Sequence, residues 1–296
     1  MKPAPFEFRA PRDLNGILES LKEVGEDARI LAGGQSLVPL MNLRMLQPEV
    51  LVSINDCEEL TWIRDEGTSF SIGAGARQWD VETHPDIITH CPSLASALGY
   101  VGGRSNRNRG TVCGSLAHSD TLAELPVVAA ALGARLTING PSGRREVSPA
   151  EFFLGPLETC LEPDEMLEFV TFPKRAASEF SHFSEIGVRK HGFAVSGVCA
   201  NLTIGEDKKC VAARIAVMGA MTVAARATEV EQFLDGAELQ PQTIVDAGRL
   251  LSESLEMASD IHADSEGRAS LAGELLCRSL AVIEKVASER MAEIGR

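Results

Sequence analysis

The sequence predicts an α+β protein in three stretches: two α/β segments, residues 1–55 and 56–176, then an antiparallel sheet with helices over 177–296. Three observations predict it. The first stretch reads β-α-β, the character changes after Pro173 to long strand-like runs, and the last third carries helical periodicity.

Within the first stretch, Leu14, Ile17, Leu18 and Leu21 recur at helical spacing over Asp13 to Val24, followed by strands at 28–31 and Val50 to Ile54. The apolar run from Leu37 to Met45 predicts a buried turn or helix. In the second stretch, strands are predicted at 60–64 and 69–74, helices near 77–83 and 92–101, and a further helix over Thr121 to Leu132. Asn139-Gly-Pro-Ser-Gly143 predicts a hairpin. In the third, Phe180 to Val188, Ala194 to Ile204 and Cys210 to Met218 predict a meander turned at Gly205-Glu-Asp207. Leu234-Asp-Gly236 ends one helix, Pro241 starts another, and Glu266 to Ile294 forms a long one with Leu271, Leu275, Ala281, Val282 and Val286 on its apolar face.

Two glycine and hydroxyl clusters stand out: Leu31-Ala-Gly-Gly-Gln-Ser-Leu37, directly after the 28–31 strand, and Arg107-Asn-Arg-Gly-Thr-Val-Cys-Gly-Ser115. Glycine lets the main chain approach phosphate oxygens closely, because a Cβ would block the approach and successive N–H groups converge best in turn geometries. Ser36, Thr111 and Ser115 add hydroxyl donors. One Gly-Gly pair beside a strand is more often an ordinary turn; two such loops in one chain point to a clamp on one dinucleotide.

Length and composition bound the rest. A chain of 296 residues with a net charge of −14 and mean hydropathy near zero fits a globular protein of about two domains. No apolar run reaches the roughly 18 residues of a membrane span, and Met1-Lys-Pro-Ala-Pro-Phe has no signal-peptide core, so the expectation is a cytoplasmic protein. With no basic cluster interleaved with aromatics, nucleic acid is not an expected partner. The seven cysteines are scattered and never spaced C-x-x-C, which predicts reduced thiols and neither a zinc nor an iron–sulfur site in this chain. P-loop, zinc-protease and nucleophile-elbow motifs are absent; Ile72-Gly-Ala-Gly-Ala76, the nearest approach to a Rossmann fingerprint, reads as a strand end.

The two loops, the sequel Leu116-Ala-His-Ser-Asp120, Glu124-Leu-Pro126 and the later Glu162-Pro-Asp-Glu-Met-Leu167 resemble, in order and spacing, the FAD-binding medium subunit of molybdenum hydroxylases. Carbon monoxide dehydrogenase, quinoline oxidoreductase and the flavin segment of xanthine dehydrogenase belong to that family. The resemblance implies a vanillyl-alcohol-oxidase-type fold, in which 1–55 and 56–176 are the N-terminal and middle FAD-binding subdomains. By motif position, Ala32, Gly33, Gly34, Gln35, Ser36 and Leu37 would wrap one side of a non-covalent FAD diphosphate. Thr111, Val112, Cys113, Gly114 and Ser115 would wrap the other, with Val101 in the same binding set. Where the family has two glycines this chain has Cys113-Gly114, which predicts a loop tolerating a small side chain. Ser105-Asn106 replaces the family's Gln-Ile.

Further positions carry two readings each. His118 and Asp120 lie where a helix N-terminus would meet an anion; alternatively Asp120 caps a helix beginning at Thr121. Arg107 and Arg109 either reach phosphate or hold the loop to a carboxylate. On the resemblance, Leu161 and Leu167 pack against adenine, or they are core residues. Phe193, in a segment similar to the family's Asp-Phe-Ala, lies beside the isoalloxazine or in the core. Lys190 places positive charge near the flavin.

The resemblance implies an electron-transfer subunit that takes electrons from [2Fe–2S] clusters on a small partner and passes them to an external acceptor. Substrate hydroxylation would occur on a large molybdopterin subunit, in a dimer of heterotrimers, and no catalytic residue or metal is expected here. A free-standing FAD oxidase is the alternative, needing a larger cap and a base; so is a flavin-free scaffold.

Overall fold

The structure, a computed structural model, describes residues 2–189 and 192–294. Its first layer is a parallel sheet of β1 (Glu7–Arg9), β2 (Ala28–Leu31) and β3 (Val50–Ser53) in the order β1-β3-β2. Helix α1 (Leu14–Val24) is fixed at its start by Asp13, whose Oδ1 accepts the Gly16 amide at 2.8 Å, and buries Ile17 and Leu21 against this layer. Helix α2 (Leu37–Asn42) follows β2 directly. The expected burial of 37–45 does not hold: Met41 is buried, whereas Val38, Leu43 and Met45 face outward. Hydrophobicity alone does not decide burial, since much of any folded surface is apolar.

The second sheet is antiparallel: β4 (Ile63–Asp65), β5 (Ser69–Gly73), β6 (Arg135–Gly140), β7 (Gly143–Val147) and β10 (Met166–Pro173), ordered β4-β5-β10-β6-β7. Its first strand is displaced from the expected 60–64, because Glu58–Leu60 forms a 3-10 turn that buries Leu60. Between β5 and β6 run α3 (Gln78–Glu82), α4 (Pro85–His90), α5 (Pro92–Leu98), α6 (Arg104–Arg107), α7 (Val112–His118) and α8 (Glu124–Leu132). Helix α9 (Pro149–Phe152) and the pair β8 (Phe153–Gly155) and β9 (Glu158–Thr159) precede β10. Helix α8 is buried on every side, as its apolar sequence after Glu124 requires. It begins at Glu124, not Thr121: Asp120 Oδ1 accepts the Leu122 amide at 2.9 Å and forms a turn rather than a helix cap.

The third sheet runs β11 (Glu179–Gly187), β12 (Ala194–Ile204), β13 (Cys210–Met218) and β14 (Ala225–Arg226), antiparallel in chain order. One face packs on α8, and the other is covered by α10 (Thr228–Leu234), α11 (Pro241–Ser254) and α12 (Ser265–Ile294). The apolar face expected for α12 is partly out of phase. Ala272, Leu275, Leu276, Leu280, Ile283 and Ala287 are buried, while Ala281, Val282 and Val286 are exposed. Among the described residues no helix is long and apolar enough to cross a membrane.

Candidate functional site

Parallel strands β2 and β3 end side by side, and loops leaving the carboxyl ends of such strands are where ligands bind in open α/β sheets. The first glycine cluster leaves β2 and turns into α2. Gly34 adopts φ +71°, a conformation open to glycine at little cost. Gly33 lies directly on the second loop: a Cβ there would collide with the Arg109 carbonyl and the Gly110 Cα. The two clusters, some seventy residues apart in sequence, are therefore in contact.

The second cluster turns into α7. Thr111 caps this helix, its Oγ1 accepting the Gly114 amide at 3.0 Å. A Cβ built on Gly114 would stand 3.7 Å from Ala32 Cβ, so the start of α7 abuts the first loop. Asn106 Nδ2 donates to Gln35 Oε1 at 3.3 Å and closes the join. Arg107 lies under the loop, fully committed: Nε and Nη2 donate to Glu82 at 2.6 and 3.2 Å, and Nη1 donates to the carbonyls of Val101 and Gly102. Of the two readings of Arg107, the carboxylate anchor is the one seen.

Around this join is a cleft of about 350 Å³ lined by Leu31, Ala32, Gly33, Gly34, Gln35, Val38, Pro39, Asn55 and Arg109. Among the described residues, the amides of Gly33, Gly34, Gln35, Ser36 and Leu37 donate to nothing in the chain, and neither does that of Cys113, whereas Val112 follows Thr111 in an antiparallel bridge to Arg77. Unpaired backbone donors gathered from two turns form an anion-binding concavity. Arg77 spans the two sides, Nη1 donating to the Arg109 carbonyl at 2.6 Å and Nη2 to Asn55 Oδ1 at 2.8 Å. Burial, then the nearby Arg109 charge, lowers its pKa.

The remaining candidates are placed differently. Cys113 turns its thiol into the core, Sγ to the Ile72 carbonyl at 3.5 Å, and burial pushes its pKa up. The first position of the motif thus accepts a side chain because that side chain points away from the loop. His118 is the last residue of α7, so the helix start expected beside it is in fact a helix end, closed by Ser119, whose Oγ donates to the Gly155 and Glu158 carbonyls. Val101 acts through its carbonyl on Arg107. Leu167 is buried within β10, Leu161 is partly buried against the same core, and Ser115 lies partly buried in α7. Phe193 is 76% exposed, which overturns the core alternative for it. Of the expected residues, Ala32, Gly33, Gly34 and Gln35 line the cleft; Ser36, Leu37, Val101, Thr111, Val112, Cys113, Gly114, Ser115, His118, Asp120, Leu161, Leu167 and Phe193 do not, and the second loop reaches it through Arg109. Lys190 lies outside the described residues.

Sequence reasoning missed Asn55 and Arg77. Asn55 was findable, since it follows β3 at the strand end beside β2. It also missed Glu124 and Glu185. Burial pushes the Glu124 carboxyl up to about 7 and the Glu185 carboxyl to about 8, the latter raised further by the Glu124 charge. The two carboxyls, one on α8 and one on β11, feel each other's charge, a relation no local pattern encodes.

Compared with known proteins, residues 4–175 match the family described as FAD binding domain in molybdopterin dehydrogenase, and residues 181–283 match the CO dehydrogenase flavoprotein C-terminal domain. The 6-hydroxypseudooxynicotine dehydrogenase complex subunit alpha of Paenarthrobacter nicotinovorans is 34% identical over 281 residues, 95% of each chain. The carbon monoxide dehydrogenase medium chain of Hydrogenophaga pseudoflava is 31% identical over 280 residues, 95% of this chain and 97% of that one. Among solved structures, quinoline 2-oxidoreductase from Pseudomonas putida 86 superposes with a TM-score of 0.91 at 36% identity, covering 97% of this chain and 99% of its counterpart.

Proposed function

We propose, from the premise that this chain belongs to the family of FAD-binding medium subunits of molybdenum hydroxylases, that its two glycine loops hold the diphosphate of FAD in the cleft between them. The chain is an oxidoreductase subunit serving electron transfer in a multi-subunit dehydrogenase complex. The observation that carries the binding site is the set of unpaired amides at Gly33 to Leu37 and at Cys113, drawn from loops that touch through Gly33. Those residues fit the group: the donors are main-chain, the exposed Ser36 hydroxyl adds to them, and the cleft carries no carboxylate.

When bound, FAD would supply the redox chemistry of electron transfer between two carriers, the protein supplying binding, orientation and electrostatics. The chain's own part is to present donors, exclude side chains from the diphosphate path, and hold the loops at a fixed spacing through Thr111, Arg107 and Arg77. The assembly we infer is cytoplasmic and contains a small [2Fe–2S] subunit and a large molybdopterin subunit, in a dimer of heterotrimers, with an external acceptor for the electrons. Full-length alignment with proteins called medium chain or complex subunit supports this reading over a free-standing oxidase.

The test is the absorbance spectrum of the purified chain, with identification of the chromophore released on denaturation. FAD at about one per chain is expected. Gly33→Val, which drives a side chain into the Arg109–Gly110 backbone and so separates the two loops, is expected to lose the colour. A colourless wild-type chain that takes up no added FAD would overturn the reading in favour of a flavin-free scaffold.

A further inference from the structure

Arg109 lines the cleft and Arg77 stands behind it; among the described residues neither guanidinium forms an ion pair, the Asp80 carboxylate acting on Arg77 only through its charge. Four arginines elsewhere are tied to a carboxylate, Arg107 to Glu82, Arg144 to Glu168, Arg145 to Glu165 and Arg226 to Glu231, each at 2.6 Å, while Arg64 and Arg104 lie over the rings of Trp62 and Trp79. In a chain of net charge −14 acidic partners are plentiful. Yet Arg77 donates only to a carbonyl and an amide oxygen, and among the described residues the exposed Arg109 side chain, which lines the cleft, has no hydrogen-bond or ion-pair partner. The two charges stand close enough for Arg109 to depress the Arg77 pKa. Like charges held together cost free energy, and an anion beside them removes that cost.

The bonds of Arg77 add a mechanical role. Asn55 Nδ2 donates to the carbonyl of Leu31, the last residue before the first loop, at 3.2 Å. Asn55 Oδ1 accepts from Arg77, which donates to the Arg109 carbonyl on the second loop. A strap thus runs from the end of β2 through Asn55 and Arg77 to the second loop, behind the cleft.

We propose that Arg109 is the cationic contact for the diphosphate at this cleft, and that Arg77 is the positioning residue that holds the two loops in register and adds a second positive charge behind it. This inference rests on the FAD reading above and deepens it, naming the side-chain charge that recognises the anion.

The experiment is FAD binding to the full chain stripped of flavin, followed by flavin fluorescence from low to high sodium chloride. Arg109→Gln and Arg77→Gln are each expected to raise the Kd about 10–100-fold, the loss of one charge-assisted hydrogen bond, and to flatten its salt dependence. Arg109→Lys is expected to restore the wild-type salt dependence. Asn55→Ala, which cuts the strap but leaves both charges, is expected to weaken binding while retaining that dependence, a readout a purely structural role would not move. Both Gln variants binding FAD with the wild-type Kd and salt response, at unchanged circular dichroism and melting temperature, would overturn the proposal. Because Arg109 is exposed, its variant carries the test if Arg77→Gln fails to fold. A wild-type chain that binds no FAD at all would instead overturn the reading beneath it.

Discussion

The two glycine loops form one cleft but are built on different footings. The second is rigidly mounted: Thr111 caps α7, Val112, Cys113 and Leu116 lie in the core, and the buried Arg107 ties the loop to Glu82 and to two carbonyls upstream. The first rests on a three-stranded sheet and a six-residue helix that buries a single side chain, Met41. Local stability follows buried contacts and protected hydrogen bonds, so one side of the cleft is a fixed template and the other conforms to it. The first loop supplies most of the cleft lining and most of the free donors, and the second loop reaches the cleft through Arg109.

That asymmetry fixes the order of mutational effects. Arg107→Ala is the largest: it strands Glu82 without its partner and strips the Val101 and Gly102 carbonyls of their donor, so urea denaturation should show a loss of about 3–5 kcal/mol together with weaker FAD retention. An unchanged midpoint would show that the second loop is not held from below.

Glu124, at the head of α8 behind the same loop, comes next. Its carboxyl titrates at about 7 in the fold, and Glu185 at about 8, both above the ordinary glutamate range because burial disfavours the charged form. The folded state therefore binds more protons than the unfolded chain across this window. The stability these groups contribute is complete below the unfolded pKa and is lost as pH rises through about 7 and 8. Glu124→Gln should flatten the fall in melting temperature between mildly acidic and alkaline buffer and, on the alkaline side, stabilise the chain by about 1–3 kcal/mol. Parallel pH profiles for the two proteins would contradict this.

Thr111→Ala removes the α7 cap at a cost of about 1 kcal/mol, with the start of the helix fraying first in amide exchange. Met45→Ser, on the lightly built side, should leave the melting temperature of the isolated chain within the range of a surface substitution, about 0.5 kcal/mol. A larger loss would mean that the apolar segment after α2 is packed after all, and the contrast between the two loops would fail.

Where the sequence carried local information, the reading was sharp. Strands β12 and β13 begin and end where apolar runs meet the turn at Gly205, and α1 begins at its capping aspartate. The contact of Gly33 with the second loop was expected in outline, because two such glycine clusters in one chain point to a shared clamp even though each alone reads as a turn. What was illegible depended on distant partners. The orientation of Cys113 is set by β5, the role of Arg77 by Asn55 and Arg109, and the acidity of Glu124 by the burial of α8. The phase of α12 was misread because Ala281, Val282 and Val286 are apolar on a helix whose other stripe meets the sheet. Periodicity finds a stripe but cannot say which of two is covered.

Helix α8 has a consequence for how the molecule comes apart. It packs against α5 and α7 on one side and against β12 and β13 on the other, and the core containing it draws Phe183, Cys199 and Met218 together with Leu94, Leu116 and Ile138. Neither neighbour can melt without exposing a helix that has no polar face to offer water. The middle and C-terminal sheets therefore share one cooperative unfolding transition. A chain cut near residue 176 would leave α8 with one flank bare, an aggregation-prone fragment rather than a smaller protein.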